Sequence, residues 1–258
     1  MLKVVKIGGN IVDNPEKLEA FLTGFAHLSG KKILVHGGGK VATTISKALG
    51  IETRMIDGRR VTDEQTLRVV TMVYAGAINK NIVAGLQSRG CNAVGLSGAD
   101  GAFIRSVRRS PEPVDYGFVG DPKSINSQLV KMLTDAGYVI VAAPITYDYA
   151  AGGVLNTNAD TVAQTIATGM AETGEEVELV YCFEKQGVLS DVNDEGSVIP
   201  TITETDFEVL RRNGVVADGM LPKLENAFKA IRGGVKQVVI CSAENIARPD
   251  YGGTTLRK

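Results

Sequence analysis

Lys32-Ile33-Leu34-Val35-His36-Gly37-Gly38-Gly39-Lys40-Val41 is the stretch on which the fold turns. A branched apolar run ends in three consecutive glycines, and a helical pattern begins near Val41. A strand, a glycine loop and a helix N-terminus in this order form an anion cradle, because free backbone amides meet the positive end of the helix dipole. The spacing matches neither GxxxxGK[ST] nor GxGxxG, and no acidic residue closes a following strand to hold a ribose. Both a P-loop and a dinucleotide site are therefore disfavoured. His36 has no acidic neighbour in sequence and reads as a structural side chain satisfied by backbone rather than as a base.

Working outward, similar apolar runs occupy Leu2 to Ile7, Ala93 to Leu96, Val139 to Ala143, Val177 to Cys182 and Lys236 to Cys241. Their length and branching predict buried strands. Helical periodicities lie between them. Ile125, Leu129, Met132, Leu133 and Ala136, for example, make one apolar stripe that Gly137 terminates. Repeated alternation of strand and helix predicts an α/β three-layer αβα sandwich with a mainly parallel central sheet, whose ligands gather at the carboxyl ends of the strands. One stretch breaks the alternation. Ala102 to Val107 and Gly117 to Gly120 flank a polar Arg-Arg-Ser-Pro-Glu-Pro segment, as in a hairpin with a long loop that covers a pocket. The polar stretch Gly169 to Glu176 marks a subtle boundary near residue 172, dividing the domain into lobes 1–172 and 173–258.

Of 258 residues, 44% are hydrophobic and 22% charged, enough to bury a substantial core. Lysine and arginine total 28 against 29 acidic residues, so no charge excess points to nucleic acid or an anionic membrane. No apolar run approaches the length of a membrane span, and the N-terminus lacks a signal-peptide pattern, so a cytoplasmic location is expected. Cys91, Cys182 and Cys241 are scattered and odd in number, which argues for buried thiols in a reducing compartment.

Further segments carry chemistry. Lys6-Ile7-Gly8-Gly9-Asn10 ends the first strand with a lysine beside two glycines, a site for phosphate or simply a tight turn with a solvated lysine. Asp57-Gly58-Arg59-Arg60-Val61-Thr62-Asp63 sets two arginines before a helix capped by Asp63. Arginine grips carboxylates in a bidentate fork, although a solvated loop also accounts for the pair. Asn156-Thr157-Asn158-Ala159-Asp160 crowds two amides and a carboxylate ahead of a helix. Asp218-Gly219-Met220-Leu221-Pro222-Lys223-Leu224 places a lysine just inside a helix start, where it opposes the dipole unless an anion binds nearby.

Together, KIGGN at 6–10, HGGGK at 36–40, GRRVT at 58–62, NTNAD at 156–160 and DGMLPKL at 218–224 resemble the amino-acid kinase family, in its N-acetylglutamate kinase branch, over essentially the whole chain. The resemblance implies ATP-dependent phosphorylation of a side-chain carboxylate on an N-acylated glutamate, a step of arginine biosynthesis. It implies that Lys6 and Lys223 stabilise the phosphoryl group, with Asp160 orienting both. By the same resemblance the amides of Gly9 and Gly38 bind phosphoryl oxygens, Gly38 and Gly39 line the substrate pocket, Arg60 clamps the α-carboxylate and Asn156 meets the acylamino group. Mg2+ would be held mainly by ATP phosphates and not by a protein cage. A carboxylate nucleophile is already ionised, so no catalytic histidine is expected.

The chain departs from the family pattern after Val177 to Tyr181, where it reads Cys182-Phe183-Glu184-Lys185-Gln186-Gly187-Val188-Leu189 in place of an acidic residue and a small loop. Lys185, Gly187 and Leu189 are the candidate nucleotide contacts there, and a plain connecting loop is the alternative. Arginine-inhibited members carry an extra N-terminal helix, so the start at the first strand implies no arginine feedback and a homodimer. Arg59 with Arg60, or Arg108 with Arg109 in the hairpin loop, would suit a succinyl in place of an acetyl group, with a solvated role as the alternative. Other amino-acid kinases, a dinucleotide-dependent oxidoreductase and a silent metabolite sensor are the competing readings.

Overall fold

The computed structural model describes residues 1–191, 193–214, 220–248 and 250–258. In chain order the strands are β1 (Leu2–Ile7), β2 (Lys32–His36), β3 (Met55–Ile56), β4 (Arg59–Arg60), β5 (Ala93–Leu96), β6 (Ile104–Arg108), β7 (Gly120–Ile125), β8 (Val139–Ala142), β9 (Ile145–Asp148), β10 (Gly153–Asn156), β11 (Val177–Phe183), β12 (Thr201–Thr203), β13 (Gln237–Ser242) and β14 (Thr254–Arg257). Each predicted apolar run is a strand, within one residue at either end.

The central sheet has the order β12-β14-β13-β11-β1-β2-β8-β5. Only β13 and β14 run antiparallel; every other neighbouring pair is parallel. Side chains alternate across each strand, so successive residues feed opposite faces. Val4, Val35, Leu179 and Ile240 join one buried cluster with the helices Ala159–Ala171 and Leu221–Arg232. Val5, Leu34, Val180 and Val239 join another with the helices Pro15–His27 and Glu64–Gln87. A sheet buried on both faces needs continuous apolar strands, which is the composition these runs have. The sheet contains strands from both sides of residue 172. Cys91, Cys182 and Cys241 are buried and unpaired by disulfide.

Three elements differ from the sequence reading. The helix Glu64–Gln87 is long and apolar enough to cross a membrane by length and composition, although scattered polar residues interrupt its apolar pattern. Asp63 caps it, accepting from the Thr66 amide at 2.7 Å, and Val69, Val70, Ile82 and Leu86 are buried against the core. The stripe before Gly137 is also shifted. Asn126 caps the helix Ser127–Asp135 by accepting from the Leu129 amide at 3.1 Å, which leaves Ile125 in β7. The inward face then carries Leu129, Val130 and Leu133, while Met132 is 60% exposed. Finally, the hairpin forms from β6 and β7 but joins β9 and β10 in a separate sheet of order β10-β9-β6-β7. Its basic pair serves that sheet. Arg108 lies over the Phe118 ring and donates to the Gly117 carbonyl, and Arg109 pairs with Asp121 at 2.6 Å.

Candidate active site

The carboxyl ends of β1, β2 and β11 lie side by side, with Ile7 opposite both His36 and Cys182. Beyond them opens a cavity of about 980 Å³. Lys6, Gly9, Gly39, Arg60, Asp160, Lys185, Gly187 and Lys223 all border it. Residues more than two hundred positions apart thus share one space.

The two glycine loops form one wall. A Cβ on Gly37 would lie 3.3 Å from the Gly9 amide nitrogen, and one on Gly9 would lie 3.8 Å from that of Gly39. At Gly37 a side chain would press on the facing backbone, whereas at Gly9 the spacing is ordinary contact. Gly38 adopts φ 153°, and a side chain there would drive into Ile78, 2.2 Å away. The helix Gly39–Ala48 starts at this point with no side-chain cap. Its first amides are thus available to an anion.

Arg60 borders the cavity. It is 8% exposed, and its guanidinium donates to the Gly39 carbonyl at 2.9 Å, the Thr43 hydroxyl at 2.8 Å and the Thr53 hydroxyl at 3.2 Å. Among the described residues no carboxylate pairs with it. A buried guanidinium held only by neutral acceptors keeps its charge uncompensated and is suited to receive a carboxylate. Asn156 reaches this corner indirectly: its amide donates to Thr62 at 3.0 Å, and Thr62 donates to the Arg60 carbonyl at 3.2 Å. Asn156 and Gly38 stand behind the cavity wall and not on it.

Two ammonium groups also meet on this cavity. Lys6 Nζ lies 2.6 Å from Asp160 Oδ1. The contact is a charge pair more than a directed hydrogen bond, since Oδ1 receives no aligned donor. Asp160 sits in the first turn of the helix Ala159–Ala171, capped by Asn158, which accepts from the Asp160 and Thr161 amides. Lys223 is the third residue of the helix Leu221–Arg232. Burial pulls its pKa below the ordinary lysine value, Asp160 counteracts that pull, and Lys6 adds to it. Asp218 and Gly219 of its motif lie outside the described residues.

His36 has no acid–base role in this geometry. It is fully buried, its Nε2 is 3.2 Å from Asn79 Nδ2 and its Nδ1 is 2.9 Å from the Gly37 carbonyl. Asn79 donates, so Nδ1 carries the proton. Burial lowers the imidazole pKa to about 4.

The loop after β11 divides. Lys185 borders the cavity but pairs with Glu195 at 3.1 Å in solvent. Gly187 is buried where a Cβ would lie 2.7 Å from Thr254 Oγ1. Leu189 bridges to Val198 away from the cavity. Among the cavity residues to which the sequence reading gave no role are Thr43, Thr53 and Phe183. Thr43 follows Gly39 by four positions and so shares its helix face, a signal available beforehand. Nothing local distinguishes Thr53. Phe183 stands in the segment that departs from the family pattern.

The model of the amino acid kinase family matches residues 1–242. The chain is 53% identical over 257 residues to the acetylglutamate kinase of Bacteroides thetaiotaomicron, covering 100% of this chain and 98% of that one. It is 54% identical over 246 residues to that of Cytophaga hutchinsonii, with 95% and 92% covered. Among solved structures, N-acetylglutamate synthase from Neisseria gonorrhoeae, in complex with coenzyme A and N-acetyl-glutamate, superposes with a TM-score of 0.83 at 19% identity. All of this chain is covered, and it spans 59% of that longer protein. Full-length identity above one half, and a matching fold with its glycine loops on one cleft, lead to one assignment: the chain belongs to the amino acid kinase family.

Proposed function

We propose that this protein transfers the γ-phosphoryl group of ATP to the side-chain carboxylate of an N-acyl-L-glutamate, N-acetylglutamate foremost, as the kinase step of arginine biosynthesis. The observation that carries the reading is the convergence of Lys6 and Lys223 on one cavity that is also bordered by the buried Arg60, which pairs with no carboxylate among the described residues. Relatives above 50% identity that carry the name acetylglutamate kinase support the choice of substrate.

In this reading Arg60 binds the α-carboxylate and Asn156 supports that corner through Thr62. The γ-carboxylate of the substrate, already ionised, attacks the γ-phosphorus in line. The bond to the β,γ-bridging oxygen breaks, ADP departs, and an acyl phosphate remains. No general base is needed, which suits a cleft whose nearest histidine is neutral and buried. The task is electrostatic: two anions must approach, and amides of Gly9, Gly38 and Gly39 together with the two ammonium groups offset their repulsion. Asp160 keeps Lys6 aimed at the phosphoryl group. Lys185 and Gly187 border the side that takes the nucleotide.

Among the described residues no three His, Cys, Asp or Glu side chains converge as a metal cage, and Asp160 is engaged by Lys6. Mg2+ carried on the phosphates fits this lining and would supply further charge neutralisation. Residues 1–172 form the substrate lobe and residues 173–258 the nucleotide lobe. The protein acts as a cytoplasmic homodimer, its three buried thiols supporting the reducing compartment.

Hydroxylamine trapping tests the activity. Purified protein with ATP, Mg2+ and N-acetylglutamate should yield a hydroxamate, and free glutamate should yield little. Turnover of free glutamate alone, or no hydroxamate from either, would reject the proposal.

A further inference from the structure

Two like charges share this cleft, and among the described residues Asp160 is the acid that acts on both. Lys6 takes that carboxylate at 2.6 Å. Among the described residues no acid lies within ion-pairing distance of Lys223. A four-carbon side chain at a helix N-terminus, opposed by the dipole and by a neighbouring ammonium, would turn toward water unless something held it. What lies beneath it is an aromatic ring: Lys223 Nζ stands 3.8 Å from the Phe183 centroid, and Lys6 Nζ 5.4 Å from the same ring.

We propose that Phe183 is a positioning residue for phosphoryl transfer, its ring face holding the Lys223 ammonium over the cleft in place of a carboxylate. The inference rests on the kinase reading. A ring face carries negative quadrupolar charge and attracts a cation without neutralising it. That difference matters chemically. A carboxylate on Lys223 would compete with the incoming phosphates, whereas a ring aims the ammonium and leaves its full charge for them.

The ring is itself fixed. Phe183 ends β11, and Tyr181, two residues earlier on the same face, stacks behind it with centroids 6.1 Å apart and planes at 19°. The Tyr181 hydroxyl donates at 3.3 Å to the Asp160 carbonyl. One strand end thus ties the platform under Lys223 to the helix that carries the partner of Lys6. Phe183 borders the cavity and is only half-buried, so its face is open to the reacting groups.

The test replaces Phe183 with phenylalanine bearing one, two or three ring fluorines. Shape is nearly kept while the quadrupole is progressively withdrawn, so a packing role would be blind to the series. We expect kcat for hydroxamate formation to fall stepwise, reaching about tenfold with three fluorines, or about 1.4 kcal/mol. KM for N-acetylglutamate should hold within about twofold, as for an interaction made in the transition state. Phe183→Leu should lose at least as much activity, and Phe183→Tyr should retain most of it. A kcat flat across the fluorine series, or a loss confined to KM, overturns the proposal. If the unmodified protein itself forms no hydroxamate, the kinase reading fails, and the proposal with it; an active parent with a flat series sinks the proposal alone.

Discussion

Asp160→Asn is the substitution that separates charge from shape at the centre of the cleft. At 2.6 Å and an effective dielectric of 20, the pair with Lys6 has a gross attraction of about 6 kcal/mol. Desolvation offsets most of it. Removing one member of a fully buried pair costs roughly 3–5 kcal/mol, and Asp160 is 21% solvent-exposed against 9% for Lys6, so the net loss should be about 2 kcal/mol after solvent screening. Asparagine preserves the backbone carbonyl that receives the Tyr181 hydroxyl. It leaves Lys6 and Lys223 facing each other without compensation. Urea unfolding should therefore show the ~2 kcal/mol deficit in the free protein, and saturating ATP should shrink it, because phosphates replace the missing negative charge. The hydroxamate assay at saturating substrates should show kcat reduced about 100-fold, since an unheld Lys6 no longer meets the transition state. A kcat within threefold of the parent would refute the assignment, and so would a stability deficit that nucleotide leaves unchanged.

Arg60→Lys should raise KM for N-acetylglutamate about 30-fold while altering kcat only a few-fold, as an ammonium cannot reproduce the fork that spans Gly39, Thr43 and Thr53; initial-rate kinetics check it. His36 predicts a pH dependence of stability. Its pKa falls from 6.5 when unfolded to about 4 when folded, so the unfolded chain binds the extra proton between those values. Stability is full above pH 6.5 and declines as pH falls toward 4, by about 3 kcal/mol from this group. Chemical denaturation across pH 4–7 should give a steeper slope for the parent than for His36→Gln, and equal slopes would contradict the burial argument.

Six strands of the central sheet were legible in the sequence because both of their faces are buried and they are mostly apolar, whereas the short, threonine-rich β12 and β14 carry no such run. The anion cradle was legible for a related reason: three successive glycines after Val35 have few uses other than close backbone approach. The hairpin loop was harder. The contacts of Arg108 and Arg109 were not foreseen, because their partners, Gly117 in the loop and Asp121 on β7, lie across a long loop and such pairing leaves no local signal. The helix Ser127–Asp135 was displaced because Ile125 continues the apolar spacing, while the stop comes from the Asn126 side chain. Lys223 was singled out by its unfavourable place at a helix start. The ring beneath it was invisible, since Phe183 comes from the end of β11, far away in sequence, and a phenylalanine at a strand end ordinarily signals only packing.

The most direct measurement is a double-mutant cycle on Lys6→Met and Lys223→Met in single-turnover phosphoryl transfer, with folding of each variant verified by circular dichroism. If both ammonium groups act on one phosphoryl group, each single variant should lose about 100-fold or more, and the double variant should fall little below the worse single one. Losses that multiply, or a Lys223→Met protein with the parent rate, would contradict the account.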